Sequence, residues 1–349
     1  MASKTFIIAE IGWNFDGSLE KAKQLIDAAV RAGCSAVKFQ SFTAEKLFNE
    51  FLDYAPKPGK DWIKIIREHE LPKEWHFELA DYCKQKGIVF FSSACDEGKV
   101  DWLVELGVPF LKVPSYELTH IPLLRYMAKT GKPIILSSGI ATEEEIGESI
   151  EAIRSEGNND ITLMHCVSAY PTESCDLNLG AIPYYIEKFG IRIGLSDHFP
   201  GIWSSALAVC LGAKAVEKHI TLDRSASGGD HSFAMDPEMM KKWVGLSRQA
   251  EENPDETKDW IFMEYPEAQR ALGTKSGPAK GEEDQVVWRR SLWAKEDIPA
   301  GTAIAKDMVM IVRPSPEGSL PPKEICNVVG KKAKREIKKG GMITSDGLE

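Results

Sequence analysis

Residues 191–222 read IRIGLSDHFPGIWSSALAVCLGAKAVEKHITL. An apolar run, 191–196, leads into the polar trio Ser196, Asp197 and His198. A helical segment follows at 204–211. A second apolar run, 215–222, carries Glu217, Lys218 and His219. The order is strand, helix, strand, the pattern of a parallel pair joined by a crossover, with chemistry-bearing side chains gathered where the strands end.

The same pattern recurs outward from there to about residue 250. The first run is Phe6-Ile7-Ile8-Ala9-Glu10-Ile11-Gly12. A helix follows, with Ser18 as N-cap, Ala22, Leu25, Ile26, Ala29 and Val30 on one face, and Gly33 as its stop. Further strands are expected at 36–41, 88–94, 109–115, 133–138 and 161–167, which brings the count to eight. Eight near-continuous apolar strands alternating with helices point to a parallel sheet covered on its outer face. Eight units in about 250 residues is the size of a (β/α)8 TIM barrel. A doubly wound open sheet is the structural alternative, but it usually has fewer strands and a glycine-rich first turn, which is absent here. An insertion at 43–73, with Pro56, Pro58 and Gly59, reads as a capping loop.

The predicted organisation is a barrel over 1–250, a helical or irregular linker over 251–286 and a small β-rich domain over 287–349. In the last part, short runs such as SLWAKEDIPAG and MVMIVRPSP are split by Gly and Pro.

Composition limits the function classes. The 349 residues are 43% hydrophobic and 27% charged, ordinary for a globular protein, with a net charge of -9. That charge argues against a general nucleic-acid binder, but a positive pocket can still sit in a negative surface. No signal peptide and no long apolar span are visible, so no membrane partner is expected. The seven cysteines are scattered, with no CxxC pair, and read as reduced thiols of a cytoplasmic protein.

In barrel enzymes the functional side chains project from the carboxyl ends of the strands. Here those ends carry Glu10, Lys38, Gln40, Ser92, Ser93, Lys112, Ser115, Glu117, Ser137, Ser138, His165, Ser168, Tyr170, Ser196, His198, Glu217, Lys218 and His219. Lysines and serines converging at one rim suit a phosphate and a carboxylate. Lys38 and Lys112 lie inside apolar strands, where an unpaired charge is expensive. His198 and His219 end adjacent strands and could share one divalent cation; with only two imidazoles, Mn²⁺ or Mg²⁺ suits them better than zinc. A strand-end histidine is, on its own, usually a hydrogen-bonded structural residue, and His165 reads equally as a core histidine. Glu10 is a candidate for a sugar hydroxyl contact or for acid–base work, or else an ion pair of Lys38. The cysteines are assigned to packing.

The runs AEIGWNFDGS, VKFQSF, LKVPSYEL, ILSSGIAT, HCVSAYPT, GLSDHFPG and EKHITLDRSASGGDH resemble the sialic acid (nonulosonic acid) synthase family, in order and at similar spacing. The C-terminal SLWAKEDIPAGTAI, VRPSPEGSLPP and VVGKKAKREIKKGGMIT resemble the antifreeze-like SAF domain of those enzymes. The pair GLSDH and EKHITLDR is the most specific part. The resemblance implies a (β/α)8 barrel followed by a β-rich SAF domain, and a domain-swapped homodimer. It implies condensation of phosphoenolpyruvate with an acylamino sugar. It implies His198 and His219 as ligands of a divalent metal, Mn²⁺ first, with Mg²⁺ and Co²⁺ as alternatives. Contacts to phosphoenolpyruvate would come from Lys38, Ser93, Lys112, Ser115, Ser137, Ser168 and Ser196. Sugar contacts would come from Glu10, Gln40, Tyr170 and Asp230, with Arg313 arriving from the partner subunit. Glu117, just past strand four, is read as a base for the attacking water.

The chain departs from the family pattern at Phe15, where many members have His, at Ser93 and Ala94, where Thr and Pro are common, and at Ser168, where some have Asn. Trp13 and Phe15 make the first loop more apolar. The sugar is left open between N-acetylmannosamine, its 6-phosphate and a 2,4-diacetamido-trideoxyhexose of the legionaminate or pseudaminate type. Outside the family, the competing reading is a barrel aldolase with Lys112 or Lys218 as Schiff-base nucleophile.

Overall fold

Eight parallel strands close on themselves: β1 (Phe6–Glu10), β2 (Ala36–Ser41), β3 (Val89–Ala94), β4 (Leu111–Val113), β5 (Ile134–Ser137), β6 (Ile161–Cys166), β7 (Arg192–Asp197) and β8 (Ala215–His219). β1 pairs with β2 on one side and β8 on the other, which shuts the barrel. The computed structural model describes residues 4–52, 62–228 and 230–349. Pro56, Pro58 and Gly59 of the expected capping loop lie outside the described residues. On either side of them, short helices at Ala44–Leu47 and Trp62–Glu68 lie over the barrel mouth.

The local signals act where the sequence placed them. Ser18 caps the helix Leu19–Ala32 by accepting from Lys21 N–H, and Gly33 ends it at φ 86°. The helix Glu143–Arg154 opens with a reciprocal capping box between Thr142 and Glu145. Strand four is shorter than its apolar run. Pro109 and Pro114 bracket it and cannot donate to a ladder, so only Leu111–Val113 pairs and Ser115–Glu117 turns into a 3-10 helix. Strand eight stops at His219, because the next residues turn away and Thr221 N–H bonds the Met235 carbonyl.

Ile7, Phe39, Phe91, Leu136, Leu163 and Val216 are each fully buried in a continuous apolar core. The segment after the last barrel helix stays on the barrel: the helix Pro254–Glu264 packs against Trp203–Cys210 and Pro237–Glu252. The C-terminal domain has its own core around Leu292, Ile298, Ile304 and Ile343, and one antiparallel pair, β9 (Ser291–Ala294) with β10 (Val309–Val312). It docks on the loop after β2. Arg313 N–H bonds the Leu47 carbonyl at 2.9 Å and Asn49 N–H bonds the Arg313 carbonyl at 2.8 Å. Among the described residues no helix is long and apolar enough to cross a membrane.

Candidate active site

Strand register decides which side chains meet. Glu10 of β1 is level with Lys38 of β2 and His219 of β8. Gln40 is level with Ser93, and Ser93 with Lys112. Ser196 is level with Glu217. These residues stand at the carboxyl end of the barrel and line a cavity of ≈ 650 Å³. Ser115, Ser137, Cys166, His198, Tyr170, Asp230 and Arg313 complete its polar lining. Two other hollows lie elsewhere, one beside Arg154 and Lys214 at the amino end of the strands and one between barrel and small domain. Neither collects such a convergent set.

The floor is a buried charge cluster. Lys38 Nζ sits 2.8 Å from Glu10 and 3.5 Å from Glu217. One ammonium therefore faces two carboxylates. Burial pushes Glu10 up to about 7, and the Glu217 charge adds to it against the pull of Lys38. Burial would raise Glu217 too, but Lys38 and Lys112 outweigh it and hold that carboxyl low. Lys112 bonds the Ser137 hydroxyl and the Val113 carbonyl and has no direct counter-ion. Burial pushes it down to about 8, with the Lys38 charge adding to the shift against Glu217. A cavity with such a lysine is prepared for an anion.

The histidines stand side by side, ring centroids 5.5 Å apart. His198 Nδ1 bonds the Val167 carbonyl, so Nε2 is the nitrogen that could face a ligand, with the Cys166 thiol also bonded to this imidazole. His219 Nδ1 is buried with no hydrogen bond, 3.4 Å from the Asp230 carboxylate. A backbone-anchored imidazole beside an orphaned ring nitrogen and a carboxylate fits a divalent cation. Among the described residues no three His, Cys, Asp or Glu side chains are close enough to hold an ion by themselves. The shell would need water or substrate oxygen, which suits a hard cation with open positions.

Some expected residues sit elsewhere. Glu117 does not line the cavity. It is fully buried under the docked domain, with one carboxylate oxygen bonded by Arg290 and the other by Arg313 at 2.7 Å. Burial alone would raise it, but the two guanidiniums hold it below the usual carboxylate range. Both oxygens are spent and the group stays ionised, so it anchors Arg313 and is badly placed to take a proton from water. Arg313 itself reaches the cavity from the small domain of the same chain. Ser168 lies one layer behind the lining, with its N–H bonded by Glu282. Lys218 is turned away from the cavity, paired with Asp197 at 2.7 Å beside Ser204 and Ser205, which removes it as a Schiff-base candidate. His165 is a core histidine bonded to the Leu177 carbonyl. Phe15 packs inward against Phe39 and Trp75 and does not touch the cavity, whereas Trp13 does.

The remaining expected residues converge: Glu10, Lys38, Gln40, Ser93, Lys112, Ser115, Ser137, Tyr170, Ser196, His198, His219, Asp230 and Arg313. Gln40 Nε2 donates to Glu10 at 2.8 Å, and Tyr170 stacks at 4.3 Å on His198 at the open mouth, 45% exposed. Sequence reasoning missed the central role of Glu217, the cavity-facing thiol of Cys166, and an apolar roof of Phe42, Leu47, Phe48, Ile66, Trp288 and Phe233. Glu217 carried a signal, since it is a charge inside an apolar strand, one residue from Lys218. The roof residues carried none.

Comparison with known proteins agrees with this architecture. The NeuB family model matches residues 25–258, and the SAF domain model matches 289–349. The spore coat polysaccharide biosynthesis protein SpsE of Bacillus subtilis is 38% identical over 325 residues, 90% of this chain and 86% of that protein. Its solved structure aligns with a TM-score of 0.86, covering 100% of this chain and 96% of that one. An N,N'-diacetyllegionaminic acid synthase of Legionella pneumophila is 34% identical, covering 99% of this chain and 94% of that protein. The human N-acetylneuraminate-9-phosphate synthase is 36% identical, covering 94% and 88%. With the barrel, the strand-end layer and the docked small domain in place, the chain belongs to the NeuB family and carries a SAF domain.

Proposed function

We propose that this chain condenses phosphoenolpyruvate with an acylamino sugar and water, giving a nine-carbon 2-keto acid and phosphate. The observation that carries the reading is a single cavity lined by Lys38, Lys112 and the serines Ser93, Ser115, Ser137 and Ser196 beside the His198–His219 pair. The names of the relatives, synthases of N-acetylneuraminate 9-phosphate and of diacetyllegionaminic acid, support it.

The chemistry follows from the parts. Lys112 and Lys38 face the phosphate and carboxylate of phosphoenolpyruvate, and the serines donate short hydrogen bonds to the same oxygens. A divalent cation on His198 and His219, Mn²⁺ by preference with Mg²⁺ and Co²⁺ as alternatives, would polarise the sugar aldehyde as a Lewis acid. C3 of phosphoenolpyruvate attacks that aldehyde, water adds at C2, and phosphate leaves with cleavage of the C–O bond. Glu10, poised near neutrality, can take the proton of the water and return it to the sugar oxygen. Arg313 and Tyr170 close the mouth and limit bulk water.

The roof bears on the sugar. Among the described residues the Lys and Arg side chains lining the cavity are Lys38, Lys112 and Arg313. Lys38 and Arg313 are paired with carboxylates, and Lys112 is committed to phosphoenolpyruvate. Among the described residues none is spare for a sugar phosphate, and their apolar roof suits an unphosphorylated, deoxygenated sugar of the diacetamido type.

Exchange of SAF domains in a homodimer would carry Arg313 to the neighbouring barrel through the same contacts. Mixing Arg313→Ala chains with His219→Ala chains at a sugar concentration well below the KM of Arg313→Ala decides this: activity above that of Arg313→Ala alone requires exchange, and no gain means each chain serves itself. The substrate is a cytoplasmic metabolite, and the cytoplasm is the compartment of the reaction.

The test is phosphate release from phosphoenolpyruvate with Mn²⁺, a panel of neutral and 6-phosphorylated acylamino sugars, and EDTA as control. Release that needs both the metal and a neutral sugar is expected. Borohydride trapping with pyruvate addresses the aldolase alternative at Lys112: a covalent adduct there would replace this mechanism.

A further inference from the structure

The segment joining the two domains carries a buried carboxylate, Glu282, with no exposed surface. Four donors converge on it. Oε1 accepts from the backbone N–H of Ile140 at 2.8 Å and of Ser168 at 2.5 Å. Oε2 accepts from Lys275 Nζ at 2.7 Å and from Ala279 N–H at 2.7 Å. Lys275 also donates to the Cys166 carbonyl at 3.0 Å. A buried ion pair is a poor way to fasten a linker, because apolar side chains would do so without desolvating two charges. What the charge secures is the backbone just past β5 and β6.

That backbone builds the anion side of the cavity. Ile140 follows Ser137-Ser138-Gly139 and sits at φ 55°, the left-handed region that a β-branched residue keeps only when its surroundings enforce it. The joining segment grips it on both sides. Glu282 takes its N–H, and Arg289 donates to its carbonyl while anchored on Glu145 at 2.6 and 2.8 Å. Gly139 has no room for a side chain: a Cβ there would stand 2.1 Å from the Ser168 hydroxyl and 2.6 Å from that of Ser115. Its N–H bonds Ser115 Oγ at 3.1 Å. Ser115 and Ser137 line the cavity beside Lys112. A short chain of contacts thus runs from Glu282 through Ile140 and Gly139 to the Ser115 hydroxyl, with Ser137 two residues before Gly139 in the same stretch of backbone.

We propose that Glu282, charge-balanced by Lys275, is a positioning residue that sets Ser115 and Ser137 for phosphoenolpyruvate. The proposal rests on the functional reading above. It makes the segment between the domains part of the binding machinery, so that docking of the SAF domain and order in the anion loops depend on one stretch of chain.

The full-length protein and its Glu282→Ala, Glu282→Gln and Lys275→Met variants are compared in three readouts. Steady-state kinetics of Glu282→Ala should raise the KM for phosphoenolpyruvate by about tenfold or more, with the sugar KM within about twofold, as small misplacements of binding groups do. Glu282→Gln keeps one acceptor oxygen and should recover part of that loss. Hydrogen exchange should quicken at 138–141 and 166–170 and stay unchanged in the rest of the barrel. A lower melting temperature with both KM values unchanged would make Glu282 a structural staple only and overturn the proposal. If the wild type does not bind phosphoenolpyruvate, the functional reading fails by itself. Exchange at the two loops, with inorganic phosphate as the binding probe, then decides, and unchanged exchange in Glu282→Ala overturns the positioning role. Where Glu282→Ala does not fold, the Glu282→Gln and Lys275→Met variants carry the same comparison.

Discussion

The floor and the roof of the cavity are built in different ways. The floor comes from strand residues in fixed register, where Lys38 holds Glu10 and Glu217 by charge and Lys112 bonds Ser137 beside them. The roof comes from the insertion after β2, the joining segment and the SAF domain, where Phe48, Trp288 and Arg313 meet from distant parts of the chain. On the proposed reading the floor holds what every substrate of this chemistry shares, and the roof meets what distinguishes one sugar from another. Errors in the floor should therefore stop the reaction, and errors in the roof should change its selectivity.

The largest expected effect is at the His198–His219 pair, the proposed metal site. His219→Ala should abolish turnover while the circular dichroism spectrum and melting transition stay near wild type, and it should end any cation-dependent change in tryptophan fluorescence. Near-normal turnover would remove His219 from the centre. Next is Lys112→Met, which should lower kcat/KM for phosphoenolpyruvate by about 10²–10³-fold, the loss of one desolvated charge contact of about 3–4 kcal/mol. A loss confined to the sugar KM would move Lys112 out of the anion site. Arg313→Ala belongs to the roof. It should raise the sugar KM by about tenfold while leaving the KM for phosphoenolpyruvate nearly unchanged. An equal rise in both would mean that Glu117, freed of one partner, disturbs the floor as well.

The last expected effect is on stability. Burial holds His76 down to about 4, His120 to about 3 and His165 to about 4, all neutral in the folded chain. Their unfolded value is 6.5, so the unfolded chain binds more protons below that pH. Stability should therefore fall as the pH drops from 6.5 towards 4, by about 1.4 kcal/mol per pH unit for each such group. His76→Gln should flatten the acid limb in a series of thermal melts; an unchanged limb would assign the loss to carboxylates.

How much of this was legible follows the same division. The barrel was readable because eight apolar runs and their caps are local signals, and Ser18 and Gly33 act on residues within a turn. The floor was readable because strand ends are positions in sequence. Lys38 and Lys112 stood out as charges inside apolar runs, and His198 and His219 as ends of neighbouring strands. Glu117 misled because it, too, follows a strand end; its two guanidinium partners lie 173 and 196 residues away, and no local pattern announces them. Phe15 misled for the reverse reason. It adjoins Trp13 in sequence, yet the turn sends one ring to the cavity and the other to the core. Lys218 and Lys38 look alike in sequence, but alternation along the strand puts one inside the barrel and the other against a helix. The grip of Glu282 on Ile140 and Ser168 spans more than a hundred residues and is visible only in the fold.

The central claim is that the floor holds phosphoenolpyruvate while water attacks its C2 carbon. Running the reaction in ¹⁸O-labelled water with Mn²⁺ and a neutral acylamino sugar tests it directly. The account expects sugar-dependent release of phosphate that carries no label, because the bridging oxygen leaves with phosphorus. Labelled phosphate would mean attack at phosphorus and a phosphatase, and would contradict the condensation.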